Sequence, residues 1–215
     1  MRSLFLALFV ALPFMMCSSP NDAQPMVQKD RAKLEGLSVA YFASGCFWCV
    51  EAVYESVEGV EEAISGYSGG KEKNPSYRQV SAGATGHAEA VAVYYDPEVV
   101  DFRTLVKVFY ASQDPTTVNG QHPDYGSQYR SIIFYSNEEE KAIAMEEKKL
   151  LGESGMYSEP IATEISAFVK FWEAEEYHQD YERRNPNQPY VRSVSIPRLN
   201  RFKEKMPEVL KKAEH

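Results

Sequence analysis

Residues 44–51, Ser44-Gly45-Cys46-Phe47-Trp48-Cys49-Val50-Glu51, decide how the chain is read. The residues before them, Val39-Ala40-Tyr41-Phe42-Ala43, form a short apolar run that predicts a buried strand. After them the period changes. Cys46, Cys49, Val50, Val53, Tyr54 and Val57 fall at i, i+3, i+4, i+7, i+8 and i+11, one face of a helix. Ser44 and Gly45 supply the turn, with Ser44 the expected N-cap. Cys46 therefore stands where a strand ends and a helix begins, near unpaired N–H groups and the positive end of the helix dipole. That setting predicts a lowered thiol pKa and a nucleophilic thiolate. Phe47 and Trp48 can wall an apolar pocket beside the sulfur. A lone cysteine at a strand end is usually a small buried hydrophobe. Two at C-x-x-C spacing with aromatic residues between them point to chemistry.

The chain has 215 residues, enough for one domain with a sizeable core. Acidic residues outnumber Lys and Arg 31 to 23, and no basic block occurs, so nucleic acid is not an expected partner. Residues 1–17 read as a signal peptide: Arg2 is the charged start, and Leu4 to Met16 is an apolar run broken only by Pro13, too short to span a bilayer. Cys17 and the polar Ser18-Ser19-Pro20-Asn21-Asp22 follow, which resembles the lipid-attachment site of bacterial lipoproteins. The alternative is plain export with cleavage nearer Ala23. Both predict a location in the periplasm or cell envelope, the first with a lipid anchor on Cys17. Residues 18–36 read as a flexible tether and 37–215 as a single catalytic domain.

Three cysteines occur in all, which leaves Cys46 and Cys49 for the folded part. That is not a disulfide-stapled scaffold. Zinc is disfavoured too, because no second C-x-x-C or H-x-x-x-H pair completes four ligands. We expect no metal and no cofactor.

Further along, Glu61 to Tyr67 predicts a strand ending in Ser68-Gly69-Gly70, followed by a polar loop through Arg78. Ala90 to Tyr95 is the clearest strand. Asp101 is an expected cap for a helix bearing Phe102, Leu105, Val106, Phe109 and Tyr110. Residues 112–128 show no period and read as a long loop of the kind that is usually functional. Ser131 to Tyr135 is a strand, and Asn137 caps a helix expected to stop at Gly152. Ile161 to Phe171 offers one or two strands, Trp172 to Tyr181 a short helix, and Pro197 to Lys212 a terminal helix broken at Pro207. This mixed order predicts an α+β fold, an antiparallel or mixed sheet with helices packed on it.

Four polar groups lie off the periodic faces. Glu89, in Gly86-His87-Ala88-Glu89, comes just before the clearest strand. Pointing inward, it would be a carboxyl whose raised pKa lets it donate a proton near neutral pH; pointing outward, it is a solvated carboxylate. Tyr77 and Tyr129 are candidate donors to an oxygen, or packing residues among 14 tyrosines. Asp124 lies in a turn-like His122-Pro123-Asp124-Tyr125-Gly126.

Five stretches in order, Gly45-Cys46-Phe47-Trp48, Asn74-Pro75-Ser76-Tyr77, Gly86-His87-Ala88-Glu89-Ala90, Tyr95-Asp96-Pro97 and Asp124 to Ser131, resemble the motifs of A-type peptide methionine sulfoxide reductase, the repair enzyme for one sulfoxide epimer. The resemblance runs from about Tyr41 to Tyr190. It implies a two-layer, ferredoxin-like α+β sandwich. It implies a peptide-methionine (S)-S-oxide reductase acting on oxidised proteins and on the free amino acid; for the chain itself we expect a monomer. Cys46 resembles the nucleophile, Phe47 and Trp48 the wall for the S-methyl group, and Glu89 the acid on the sulfoxide oxygen. Tyr77 and Tyr129 resemble its helpers, and Asp124 the polar residue of the site loop.

Such chemistry needs a thiolate and a proton donor side by side at one pH. Many family members carry recycling cysteines in a C-terminal tail, but nothing after Cys49 here is cysteine. The resolving thiol is then Cys49, or an external thiol attacks directly; a thioredoxin-like protein is the implied reductant. Positions i and i+3 of a helix hold their Cβ atoms about 5–6 Å apart, against roughly 3.5–4.5 Å in a disulfide. A bridge would therefore loosen the first turn. Two other readings use the same residues: a thioredoxin-like thiol-disulfide exchanger, which leaves Glu89 and Asp124 without a task, and a non-catalytic surface-anchored binding module.

Overall fold

The computed structural model describes residues 34–212. The signal peptide, the Cys17 anchor and nearly all of the tether expected from the sequence lie outside the described residues.

One six-stranded sheet organises the molecule. Its strands are β1 (Ser38–Ala43), β2 (Val60–Ser68), β3 (Ala88–Tyr95), β6 (Ile132–Tyr135), β7 (Glu164–Ala167) and β8 (Phe171–Glu173), in the spatial order β7-β6-β1-β3-β2-β8. Neighbours are antiparallel except β6 and β7, which run parallel. The central strands β1 and β3 are apolar on both sides, as strands covered on two faces must be. On one face, helices α1 (Phe47–Glu55) and α3 (Phe102–Ala111) help build the main core, with Phe42, Tyr54, Leu105 and Phe109 buried together. On the other face, Ala43, Ala88, Ala90, Ile132 and Phe134 form a smaller cluster covered by Tyr41, Phe168 and Phe171. The fold is thus mixed α+β, as the sequence predicts.

Most elements fall where periodicity puts them, but the polar loop expected through Arg78 gives way at Tyr77 to a short helix, α2 (Tyr77–Ser81). Asp101 caps α3 by accepting from the Thr104 N–H, and Asn137 caps α4 (Glu138–Glu153) by accepting from the Glu140 N–H. Of the one or two strands expected over Ile161 to Phe171, β7 lies inside the stretch, and β8 takes only its last residue, Phe171.

Five expectations are corrected. Ser44 is not the N-cap of α1; Cys46 occupies that position, and the Ser44 hydroxyl instead accepts from the Arg198 guanidinium. Helix α4 runs through Gly152 to Glu153, and the left-handed residue after its end is Gly155. The 112–128 stretch is not wholly without structure: it holds a small hairpin of β4 (Gly120–Gln121) and β5 (Asp124–Tyr125). Trp172 to Tyr181 is not a helix; Trp172 belongs to β8, a single tight turn spans Glu176–His178, and only α5 (Tyr181–Arg184) is helical. The last helix, α6 (Ile196–Lys205), starts early because a wide, π-type turn over Val191–Ser195 leads into it.

Gly45 joins β1 to α1 with φ at +76°, a backbone that side chains rarely adopt, and a Cβ there would sit 2.7 Å from Cβ of Gln121. Gly45→Ala should therefore cost about 1–3 kcal/mol of stability, read as a lower midpoint in urea unfolding. An unchanged midpoint would contradict this account of the turn.

Candidate active site

The strand–turn–helix seam delivers Cys46 to the head of α1, where its carbonyl accepts the first N–H groups, from Cys49 at 3.2 Å and Val50 at 3.4 Å. The 129 turn is tied to this seam, since the Gly45 N–H donates to the Tyr129 carbonyl at 3.1 Å. Cys46 and Cys49 are both reduced and buried. Cys46 has non-helical backbone (φ −57°, ψ 124°), so the helical spacing expected to oppose a bridge does not hold for this pair. The two thiols instead lie within hydrogen-bonding reach.

Glu89 is not in a loop before the strand but inside β3, opposite Tyr67 of β2, and is 1 % exposed. Its Oε2 accepts the Phe47 main-chain N–H at 3.1 Å, which fastens the strand to the start of the helix. Burial pushes the carboxyl up to about 8, against the pull of that N–H, with Asp124 and Cys49 adding to the rise. Glu89 is therefore protonated at neutral pH.

The thiols divide differently from the sequence expectation. Burial, the hydrogen bond with Cys49 and the nearby Glu89 hold the Cys46 thiol well above its ordinary value; the Trp48 N–H opposes them and loses. The helix-end effect expected to make Cys46 a thiolate is outweighed by desolvation. Cys49 moves the other way, down to about 7, because Cys46 donates to it and Arg198, Ser195 and Tyr190 also stabilise its charge, against burial. Its Sγ lies 2.9 Å from the Ser195 hydroxyl and 4.0 Å from that of Tyr190. Tyr190 in turn donates to Asp124.

An aromatic box stands beside Cys46. Phe47 packs against Trp48, Tyr67 and Tyr77 with ring centres 6.0–6.2 Å apart. Trp48 stacks on Tyr181 at 3.7 Å and donates its indole N–H to Nδ1 of His178 at 3.1 Å. Burial lowers His178 to about 4, so it is neutral and can accept. The Tyr77 and Tyr129 hydroxyls are raised, chiefly by burial and next by the neighbouring Glu89, and stay protonated donors.

All eight residues singled out in the sequence thus meet at one place: Cys46, Cys49, Glu89, Phe47, Trp48, Tyr77, Asp124 and Tyr129. Four were missed. Tyr190, Ser195 and Arg198 come from the C-terminal segment, and His178 sits in a turn read as a helix. No local pattern signals Ser195 or Arg198, which reach Cys49 and Ser44 only through the fold.

A family model described as peptide methionine sulfoxide reductase matches residues 38–210. The chain belongs to the peptide methionine sulfoxide reductase family. Peptide methionine sulfoxide reductase MsrA 1 of Rhodopirellula baltica is 48 % identical over 192 residues, covering 89 % of this chain and 97 % of its own. The MsrA of Methanosarcina acetivorans is 51 % identical over 147 residues, 68 % of this chain and 78 % of its own. Among solved structures, reduced Mxr1 of Saccharomyces cerevisiae superposes with a TM-score of 0.64 at 34 % identity, covering 70 % of this chain and 87 % of that one. Membership in this family makes the chain a thiol-dependent oxidoreductase.

In the reductase site, the first proton to leave the cysteine pair should come off near pH 7. Ser195→Ala removes a hydrogen bond to the resulting thiolate and should raise that midpoint by roughly one pH unit, followed by thiolate absorbance. No change would show that the serine does not support the charge.

Proposed function

We propose that the chain reduces methionine-S-sulfoxide in proteins, and the free amino acid, to methionine, with Cys46 as nucleophile and Glu89 as acid. The observation that carries this reading is a buried, protonated carboxyl beside a buried cysteine at a helix start, enclosed by aromatic rings. A sulfoxide sulfur is a poor electrophile until its oxygen is protonated or strongly hydrogen-bonded. Glu89 gives that proton, and the Tyr77 and Tyr129 hydroxyls hold the oxygen. Phe47 and Trp48 receive the S-methyl group. Cys49, already biased toward thiolate, takes the proton from Cys46 as the Cys46 sulfur attacks.

The oxygen passes to Cys46 as a sulfenic acid and methionine leaves. Cys49 then attacks that sulfur. Its borrowed proton departs with the hydroxyl as water, and a Cys46–Cys49 disulfide remains. A thioredoxin-like dithiol restores the pair.

Two finer readings belong with this one. The order β6-β1-β3-β2, with α1 between β1 and β2 and α3 between β3 and β6, supports a ferredoxin-like two-layer description of the central fold. The Arg2 start, the apolar run to Met16 and the following Cys17 support export to the cell envelope, by lipid anchor or free.

Cys46→Ser should abolish turnover with any reductant, because no other group can accept the oxygen. Glu89→Gln should slow it by roughly 10²–10⁴-fold. In the wild type, a carboxyl raised to about 8 supplies its proton below that pH, so the rate should fall as pH rises through about 8. That limb should vanish in Glu89→Gln. Initial rates on a methionine-sulfoxide peptide with dithiothreitol check all three; retained turnover in Cys46→Ser, or an unmoved pH limb, would contradict the assignment.

A further inference from the structure

A cavity of about 320 Å³ adjoins the aromatic box. Tyr190 is common to both: its ring meets Trp48 edge-on, with ring centres 6.0 Å apart, and it lines the cavity beside Asp124. A chain whose methionine side chain lies in the box has this cavity next to its flanking residues. The volume is at the small end for a ligand site, which suits a short extended stretch of peptide.

Charge does not say what fits here. Arg198, Arg201 and Lys205 stand on the same wall as Asp114 and Asp124. Arg198 is occupied by the Ser112 and Ser44 oxygens, and Lys205 donates to the Ala111 carbonyl at 3.2 Å. Asp124 is engaged by Tyr190 and Asp114 by Thr116.

The wall leaves one amide open. Gln113 is 8 % exposed, and neither atom of its amide has a hydrogen-bond partner among the described residues. Two other buried glutamines show what such an amide does in this fold. Gln179 Oε1 accepts the Ser65 main-chain N–H at 2.9 Å, and its Nε2 donates to the Ser65 carbonyl at 3.0 Å. Gln121 treats Asp114 the same way, at 3.0 Å and 2.6 Å. Each grips both main-chain groups of one residue, as a residue of a neighbouring strand does in a hydrogen-bonded antiparallel pair. Gln113 carries the same two atoms with neither engaged, and a buried polar group in that state calls for an explanation. Both atoms are covered, so the side chain must turn about its own bonds to reach into the cavity. It gives up no hydrogen bond in doing so.

We propose that this cavity is a subsite for the main chain flanking the methionine sulfoxide, and that Gln113 grips one extended flanking residue. Its Oε1 accepts that residue's N–H and its Nε2 donates to the carbonyl. The inference rests on the reductase reading above and deepens it: peptide-bound sulfoxide is held better than the sulfoxide alone.

The full chain is assayed with dithiothreitol on N-acetyl-methionine-sulfoxide methylamide and on peptides that lengthen it by two alanines on either side. No turnover of the short amide would be a failure of the reductase reading itself. Given turnover, one of the longer peptides should show a KM roughly five- to ten-fold lower at unchanged kcat. Gln113→Leu should remove that gain without lowering the urea midpoint, because it deletes an unpaired buried amide. Its kinetics on the short amide should match the wild type. Replacing the flanking amides of the favoured peptide by esters, one at a time, removes single N–H donors. One ester should raise KM in the wild type and leave Gln113→Leu unmoved. Equal KM values for short and long substrates, a gain that survives in Gln113→Leu, ester losses that add to the variant's, or a lowered urea midpoint would overturn the subsite while leaving the reductase reading intact.

Discussion

The hydrogen bond from the Phe47 main-chain N–H to the Glu89 carboxyl is the contact on which the site depends. It joins the first residue of α1 to the second residue of β3, and so fixes the helix start over the centre of the sheet. It is also a weak bond for its purpose. A buried carboxyl that accepts two or three main-chain N–H groups is held ionised. Glu89 has this one, and burial wins: the carboxyl keeps its proton to about pH 8. Structure and protonation state therefore come from the same contact.

A few residues away the balance tips the other way. Arg198 is a buried guanidinium whose hydrogen-bond acceptors are neutral, so its charge is not cancelled by a direct ion pair. A buried charge without a partner is expensive, and an anion at Cys49 reduces that cost. The two cysteines, three positions apart, thus take opposite biases. Cys46 faces Glu89 and keeps its proton; Cys49 faces Arg198 and Ser195 and gives its proton up. The wide turn over Val191–Ser195 precedes α6 and brings Ser195 within 2.9 Å of the sulfur. Irregular turns of this kind often mark functional positions in helices.

The strand–turn–helix around Cys46 was legible because the apolar period switches from a run to a helical face at Gly45, where only glycine accepts the backbone. The central strands and the caps at Asp101 and Asn137 were legible for similarly local reasons. Electrostatics was not. The helix-end argument for a Cys46 thiolate was sound for an exposed thiol, but desolvation by Phe47 and its neighbours is larger and depends on long-range packing. Ser195 and Arg198 escaped for the same reason: they meet Cys49 and Ser44 across about 150 residues of sequence, in contacts no local pattern encodes. Trp172 to Tyr181 misled because its spacing suits a helix, whereas pairing with β2 draws Trp172 into the sheet edge.

The central claim is that Glu89 holds a proton at neutral pH because it is buried with a single main-chain donor. The direct measurement is the infrared difference spectrum between the wild type and Glu89→Gln, recorded across pH with isotopically labelled glutamate. The account predicts a protonated-carboxyl band at neutral pH that gives way to carboxylate bands through about pH 8. Carboxylate bands alone at neutral pH would contradict it.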